Sequence, residues 1–377
     1  MKEGWNILTI KECCDILDSR RKPITKSRRE SGAIPYYGAT GLLDYVKDYI
    51  FDEPLVLLGE DGAKWGAGEC SAYRIEGKSW VNNHAHALRP KRDVISDYWL
   101  IYFLNYSNLQ SYITGVTVPK LNQEKMCSIA VPVPPLSEQQ SIVDYLDAAF
   151  AKIDAMKANA EKALGEAKAL FQASLKEMME PKEGWEEKTI GDICEIIRGK
   201  RFVRTDIVEE GVPCIHYGDI YTHYGLSVTK TRGCLKPELA EKMRFAEKND
   251  VVVVQAGENN WDIGVGIAYF GEEPAAVHDA CFILKHKQDP MYISYYLRSY
   301  NYHWYLVDYV HEGKICSFLK PALENAPIPL PPLSEQQSIV AALDSLKSKV
   351  DRLQANFAKL SQECDALKQA ILKQVFE

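Results

Sequence analysis

The sequence predicts an α+β protein built twice: two pseudo-symmetric, strand-rich globular blocks of mixed α/β structure, separated by two long helices that form an antiparallel coiled coil. Three observations carry this. The decapeptide PPLSEQQSIV occurs at Pro134–Val143 and again at Pro331–Val340. KEGW at Lys2–Trp5 returns at Lys182–Trp185, each copy followed by Thr-Ile and a cysteine-containing apolar run. After the second decapeptide, apolar residues recur every three and four positions for more than four heptads, the pattern of a coiled coil. Self-similarity on this scale is a duplicated architecture, and it divides the chain into a block (1–136), a helix (137–180), a second block (181–333) and a second helix (334–377).

Within the first block, Leu55–Leu58 reads as a buried strand ending on Gly59, and Val251–Val254 is its counterpart in the second. Ile34–Gly38 overlays the stretch in which Val212-Pro213 leads into His216-Tyr217-Gly218, and Ala85–Leu88 overlays Ala280–Ile283. The copies differ in length: 180 residues separate Trp5 from Trp185, but 197 separate Pro134 from Pro331, so the second block carries 17 more residues. The first helix starts at Ser137, with a seam expected through Ile142, Leu146, Ile153 and Met156 and then a run rich in alanine. Pro327, Pro329, Pro331 and Pro332 stiffen the approach to the second helix. Ser334 is its expected N-cap, and its seam reads Leu343, Leu346, Val350, Leu353, Phe357, Leu360, Cys364, Leu367 and Ile371. Small residues on one helix facing large ones on the other suit an intramolecular pair.

Net charge is -7 over 377 residues, which by itself points away from nucleic acid. The distribution points toward it. Arg20, Arg21, Lys22, Lys26, Arg28 and Arg29 crowd ten residues of the first block, and Arg198, Lys200, Arg201 and Arg204 crowd seven at the equivalent place in the second. Phosphate binding needs local concentration of Lys and Arg, not a basic total. Tyr37, Thr40, Lys64, Lys120, Tyr217, Lys314 and Lys320 complete the candidate DNA contacts. No apolar run reaches the roughly 18 to 20 residues of a membrane span. The N-terminus is interrupted by polar and charged residues, so a cytoplasmic protein is expected. The ten cysteines, without a CxxC pair, are expected to be thiols rather than disulfides or zinc ligands.

Two variable blocks, each opening on GW with a following Thr-Ile and closing on PPLSEQQ at the head of a long helix, resemble the specificity subunit of type I restriction-modification systems. YYGATG at Tyr36–Gly41, GEDGA at Gly59–Ala63 and NNHAHAL from Asn82 also resemble one recurring kind of recognition domain. The resemblance implies that the blocks are target recognition domains, each reading one half of a split duplex DNA sequence. It implies that the helices act as spacer and docking surface for two modification subunits carrying S-adenosylmethionine, and that restriction subunits using ATP and magnesium are further partners. It also implies that this chain has no catalysis and binds no cofactor.

Chemistry within the chain finds little support. An adenine methyltransferase would need a (D/N/S)PP(Y/F) motif, and the double prolines here lie in VPPL and LPPL. Gly264-Val-Gly266 precedes a strand-like run and reads as a turn. Gly77-Lys78-Ser79 has Ala72 where a P-loop needs glycine. Two alternatives remain: a metal-dependent nuclease using Asp61, Glu76 and Lys78, and a coiled-coil scaffold that binds only protein. His84 and His86 alternate on one strand face but lack a third ligand, so hydrogen-bonded roles are expected for them.

Overall fold

The computed structural model describes residues 4–115, 117–313 and 315–377. The chain forms two compact units, Met1–Glu161 with Phe357–Glu377, and Lys162–Asn356. Each long helix therefore contributes its two halves to different units.

In the first unit, β2 (Cys14–Ile16), β9 (Ala85–Pro90), β6 (Leu55–Gly59) and β7 (Ala72–Ile75) form one sheet in that order. A second sheet runs β4 (Gly41–Val46), β3 (Ile34–Gly38), β8 (Lys78–Val81), β5 (Phe51–Asp52). The continuous apolar run in β6 follows from its central place. Val56 and Leu58 face the core around Trp99 and Leu100, while Leu55 and Leu57 face the one around Phe51, Ile75 and Val81. Alternate side chains point to opposite faces, so a strand buried on both sides carries no polar positions.

The second unit repeats the plan. β12 (Cys194–Arg198), β22 (Cys281–His286), β18 (Val251–Val254) and β20 (Gly266–Tyr269) match the first sheet, with β15 (Ser227–Val228) added at the edge. β13 (Ile207–Val208), β16 (Gly233–Leu235), β14 (Val212–Ile215), β21 (Ala275–Val277) and β17 (Phe245–Ala246) form the other sheet, and β19 (Ala256–Gly257) pairs with β23 (Cys316–Ser317). Register corrects one expected overlay. Cys14 pairs with Pro90 and Cys194 with His286, so Ala85 corresponds to Cys281, not Ala280, and buried His86 corresponds to buried Phe282.

Register also locates the 17 extra residues. Tyr37 pairs with Val81 as Ile215 pairs with Val277, and Val56 with Leu88 as Val251 with Leu284. Nineteen residues lead from Tyr37 to Val56 but 36 from Ile215 to Val251. The difference is the whole excess, and it builds the helix Tyr217–Thr222 and β15.

The repeated motifs have a shared structural use. β1 (Asn6–Thr9) pairs with β10 (Ala130–Val133), and β11 (Glu186–Thr189) with β24 (Pro327–Leu330), tying the start of each block to its end. Trp5 Nε1 donates to Glu138 and Trp185 Nε1 to Glu335, both at 3.1 Å. Gln139, fully buried, accepts from Ser96 N at 2.8 Å and donates to Val94 O and Pro134 O at 2.9 and 2.8 Å. Gln336 accepts from Asp289 N at 3.0 Å and donates to Pro331 O at 2.9 Å. KEGW and SEQQ are thus two sides of one joint that fixes each helix to its block.

The helices span Leu136–Met178 and Leu333–Phe376 and pair antiparallel. In the first unit Asp154 bonds Lys368 at 2.5 Å and Lys157 meets Asp365 at 3.4 Å, one number rising as the other falls. In the second, Phe171 and Leu175 share a core with Leu343 and Val350. The expected seam needs correction at three positions. Leu146, Ile153, Leu343 and Val350 are buried, and Ile142, Leu346, Phe357, Leu360 and Ile371 are half-buried, but Met156, Leu353 and Leu367 are exposed. On the first helix the stripe runs through buried Val143, Leu164 and Phe171 and half-buried Phe150 and Lys157 in place of Met156. Lys157 lays its aliphatic stem along the seam and sends its ammonium to Asp365, which a hydrophobic count overlooks. On the second, 3.6 residues per turn drift against a 3.5-residue repeat, so the stripe passes from Cys364 to Lys368 and Leu372, leaving Leu367 outside.

Candidate nucleic-acid interface

Each basic loop leaves the first sheet and is tied by its backbone to the second. Lys22 N donates to Val81 O at 3.3 Å, and Lys200 N to Val277 O at 2.9 Å. Asn82 N bonds Tyr37 O at 3.0 Å and His278 N bonds Ile215 O at 3.1 Å. The loops, the turns after β3 and β14, and the segments after β8 and β21 therefore meet in equivalent fashion in both units. Gly199 permits the approach in the second unit, since a Cβ there would lie 2.2 Å from His278 O.

In the first unit, half of the expected phosphate contacts pair with carboxylates of the same unit, although Arg20 and Lys120 remain 46% and 42% exposed. Arg21, 11% exposed at its side chain, pairs with Glu60 at 2.5 Å and Asp18 at 3.2 Å and donates to Ala85 O. Lys120 meets Glu60 at 2.8 Å. Arg29 pairs with Asp44 at 2.9 Å and lies over the Tyr36 ring, and Arg20 donates to Ile50 O and meets Glu53. These four side chains, three of them expected at DNA from their clustering and Lys120 as a separate candidate, neutralise carboxylates of the same unit, because carboxylates left unpaired beside a core would be costly. Lys22, Lys26 and Arg28 are exposed and carry no ion pair among the described residues. Thr40 is exposed in the turn after β3, Tyr37 is half-buried against Tyr73, and Lys64 is exposed, 3.9 Å from Glu69.

His86, Asp18 and Glu60 bring ligand-type atoms within 4.8 Å of one another. Arg21 and Lys120 already supply the compensating charge. His86 bonds Asp18 at 2.5 Å through Nδ1 and Leu121 O at 2.7 Å through Nε2. Both ring nitrogens are committed, so the group reads as an ion-pair knot. Burial would raise the Glu60 carboxyl, but Lys120 and Arg21 outweigh it and hold it below the usual range. The second unit has neutral Gln255 and Phe282 at these places, and Gln255 donates to Phe318 O at 2.6 Å.

In the second unit Lys200, Arg201 and Arg204 are exposed without ion pairs among the described residues, while Arg198 donates to the Asp279 carbonyl at 2.9 Å. Beneath them Phe202, His216, Tyr217 and His278 cluster, with ring centroids of His216 and Tyr217 4.4 Å apart. Burial, with His278 adding to it, pushes the His216 imidazole down to about 4. Lys320 pairs with Glu324 at 3.2 Å on its own helix. Lys314 lies outside the described residues.

The nuclease arrangement is not assembled. β6 and β7 run antiparallel with Leu55 opposite Ile75 and Leu58 opposite Ala72, so Asp61 and Glu76 lie beyond opposite ends of the hairpin, roughly 20 Å apart at about 3.3 Å per residue. Glu76 pairs with Arg74 at 2.6 Å, and Lys78 lies over the Tyr49 ring. Gly264 forms a turn at φ +75° leading into β20, not a helix. No helix among the described residues is long and apolar enough to cross a membrane.

Residues 2–164 and 182–360 both match the type I restriction modification DNA specificity domain. The chain belongs to that family. It is a DNA sequence-recognition subunit of the type I restriction-modification class. It is 24% identical over 378 residues to the MjaVIII specificity subunit of Methanocaldococcus jannaschii, covering 93% of this chain and 87% of that one. It is 27% identical over 348 residues to the Haemophilus influenzae sequence S.HindORF215P, whose name assigns it to the same class of subunit, covering 89% and 86%. The fold is that of the HsdS subunit from Thermoanaerobacter tengcongensis, with a TM-score of 0.61 at 20% identity, covering 100% of this chain and 97% of that one. A chain from a structure of type I restriction-modification complex assembly gives a TM-score of 0.73 at 18% identity, covering 100% and 98%.

Sequence reasoning singled out the segment from Asn82 but missed its counterpart at His278 and the paired carboxylates that claim Arg21 and Arg29. The acidic partners lie up to 39 residues away in sequence, and only strand register brings them together.

Proposed function

We propose that each unit grips one half of a bipartite duplex target through its own basic loop, without catalysis in this chain. The observation that supports this is the pair of equivalent backbone bonds, at Lys22 and at Lys200, that hold a basic loop beside the same strand end in both units. Lys22, Lys26 and Arg28 would contact phosphates of one half-site, and Lys200, Arg201 and Arg204 those of the other. Two modification subunits would dock on the long helices, where Tyr145, Met156, Leu170, Leu353 and Leu367 are exposed apolar residues outside the paired seam. They would supply S-adenosylmethionine, and restriction subunits would supply ATP- and magnesium-dependent cleavage. The purified chain alone should neither methylate nor cut DNA.

The test is binding of the assembled complex to its methylated target as a function of salt. Replacing Lys200, Arg201 and Arg204 together by alanine should weaken binding and reduce the slope of log K against log salt by roughly 0.9 for each phosphate no longer neutralised. Arg21→Ala should leave that slope unchanged. An unchanged slope in the triple variant would remove the loop from the interface.

A further inference from the structure

A cleft of about 560 Å³ in the second unit is lined by His216, Asp219, Thr222, His223 and Arg232 from the longer segment between Ile215 and Val251, and by Arg204 and Glu258 from outside that segment. We infer that this cleft is a base-reading element and that Arg232 reads a guanine in one half-site. The inference rests on the proposed DNA-binding role and adds to it a specificity-determining residue.

The geometry separates Arg232 from a phosphate contact. Thr222 Oγ1 donates to Gly218 O at 2.6 Å and therefore accepts from His223 Nδ1, also at 2.6 Å. Arg232 Nη1 lies against the His223 ring, 2.9 Å from Nδ1 and in contact with Nε2. Asp219 stands 3.5 Å from the same Nη1. The guanidinium is thus anchored through one nitrogen, while its side chain remains 56% exposed and its Nε and Nη2 have no partner among the described residues. A fixed guanidinium presenting a free edge matches the O6 and N7 acceptors of guanine in the major groove. The Asp219 carboxylate beside it repels phosphate oxygens, whereas Arg204 at the rim has no such neighbour in an ion pair. Phosphate contact and base contact are divided between the two arginines.

The methylome of cells carrying the full chain with its modification subunit is the readout. The wild type should give one bipartite motif; absence of any such motif would count against the DNA-recognition reading itself. Arg232→Ala should give a motif degenerate at one G·C pair in one half, with discrimination there reduced roughly 5- to 150-fold, and with the other half and the spacer unchanged. Arg232→Lys keeps the charge without the fork and should relax the same position, which decides the matter if the alanine variant yields too little complex. Placing 7-deazaguanine at that pair should weaken binding of the wild type but not of Arg232→Ala. An unchanged motif in both variants, or a uniform loss of affinity with a shallower salt slope, would overturn the inference.

Discussion

Gln139 illustrates how much one buried polar side chain can hold. Its amide satisfies one backbone N–H and two carbonyls where the first block, the proline segment and the helix meet. Gln139→Ala would leave all three groups without a partner, and the expected destabilisation is about 2–4 kcal/mol, read as a lower denaturation midpoint of the first unit. Burial lowers the imidazole pKa of His216, His278, His286 and His303 in the second unit, the first and third most clearly. Burial, the main cause in both, pushes His216 and His286 down to about 4, against an ordinary value of about 6.5. Between those values the unfolded chain binds protons that the folded unit does not. Stability is therefore complete above about pH 6.5 and falls as pH drops toward 4, by up to about 2 kcal/mol per imidazole at pH 5. Hydrogen exchange at pH 7 and pH 5 should show the second unit loosening on acidification, and His286→Gln should lessen the change. Equal protection at both pH values, each measured against the intrinsic exchange rate at that pH, would rule out these imidazoles as the cause.

At the scale of elements, periodicity was legible and phase was not. The strands Leu55–Gly59 and Val251–Val254 and both long helices lie where apolar runs and heptads put them, because burial imposes periods of 2 and about 3.5 directly on side-chain type. Lys157 and not Met156 faces the partner helix, with its ammonium 3.4 Å from Asp365, and no local pattern encodes that pairing. For the same reason the basic clusters were legible as clusters, while the division between Arg21, turned inward, and Lys22, turned outward, was not. The second helix ends inside the first unit. Phe376 packs against Trp99, Phe103 and Tyr106, with Leu372 and Val375 in the same core. Phe376 is only partly buried, so Phe376→Ala should cost about 2–3 kcal/mol, less than a fully enclosed phenylalanine. Exchange protection should fall in the helix Asp97–Tyr106 and remain in the second unit's Val251–Val254; a fall in both would mean that the two cores do not melt independently.

For the whole molecule, the duplicated joint sets a rule for exchange of parts. Each block is entered and left through one antiparallel strand pair, β1 with β10 and β11 with β24, and each is fixed to its helix by the same tryptophan–glutamate bond and buried glutamine. Between Ile190 and Ala326 the second block carries its own basic loop and most of a core that it shares with Phe171, Leu175, Leu343 and Val350 of the helices. The bond from Ile190 N to Ala326 O, at 2.9 Å, closes that segment at its neck. A foreign block with the same neck and with residues matching Asp289, Tyr292 and Tyr295 where it meets β24 and the helices, grafted between Thr189 and Pro327, should therefore fold without disturbing β11, β24 or the helices. If each unit reads its own half-site, the graft should replace one half of the methylated motif and leave the other half as it was. Methylome sequencing of the graft with the native modification subunit measures this directly. A motif altered in both halves would show that the units do not read independently, and an unaltered motif would place base recognition outside residues 190–326.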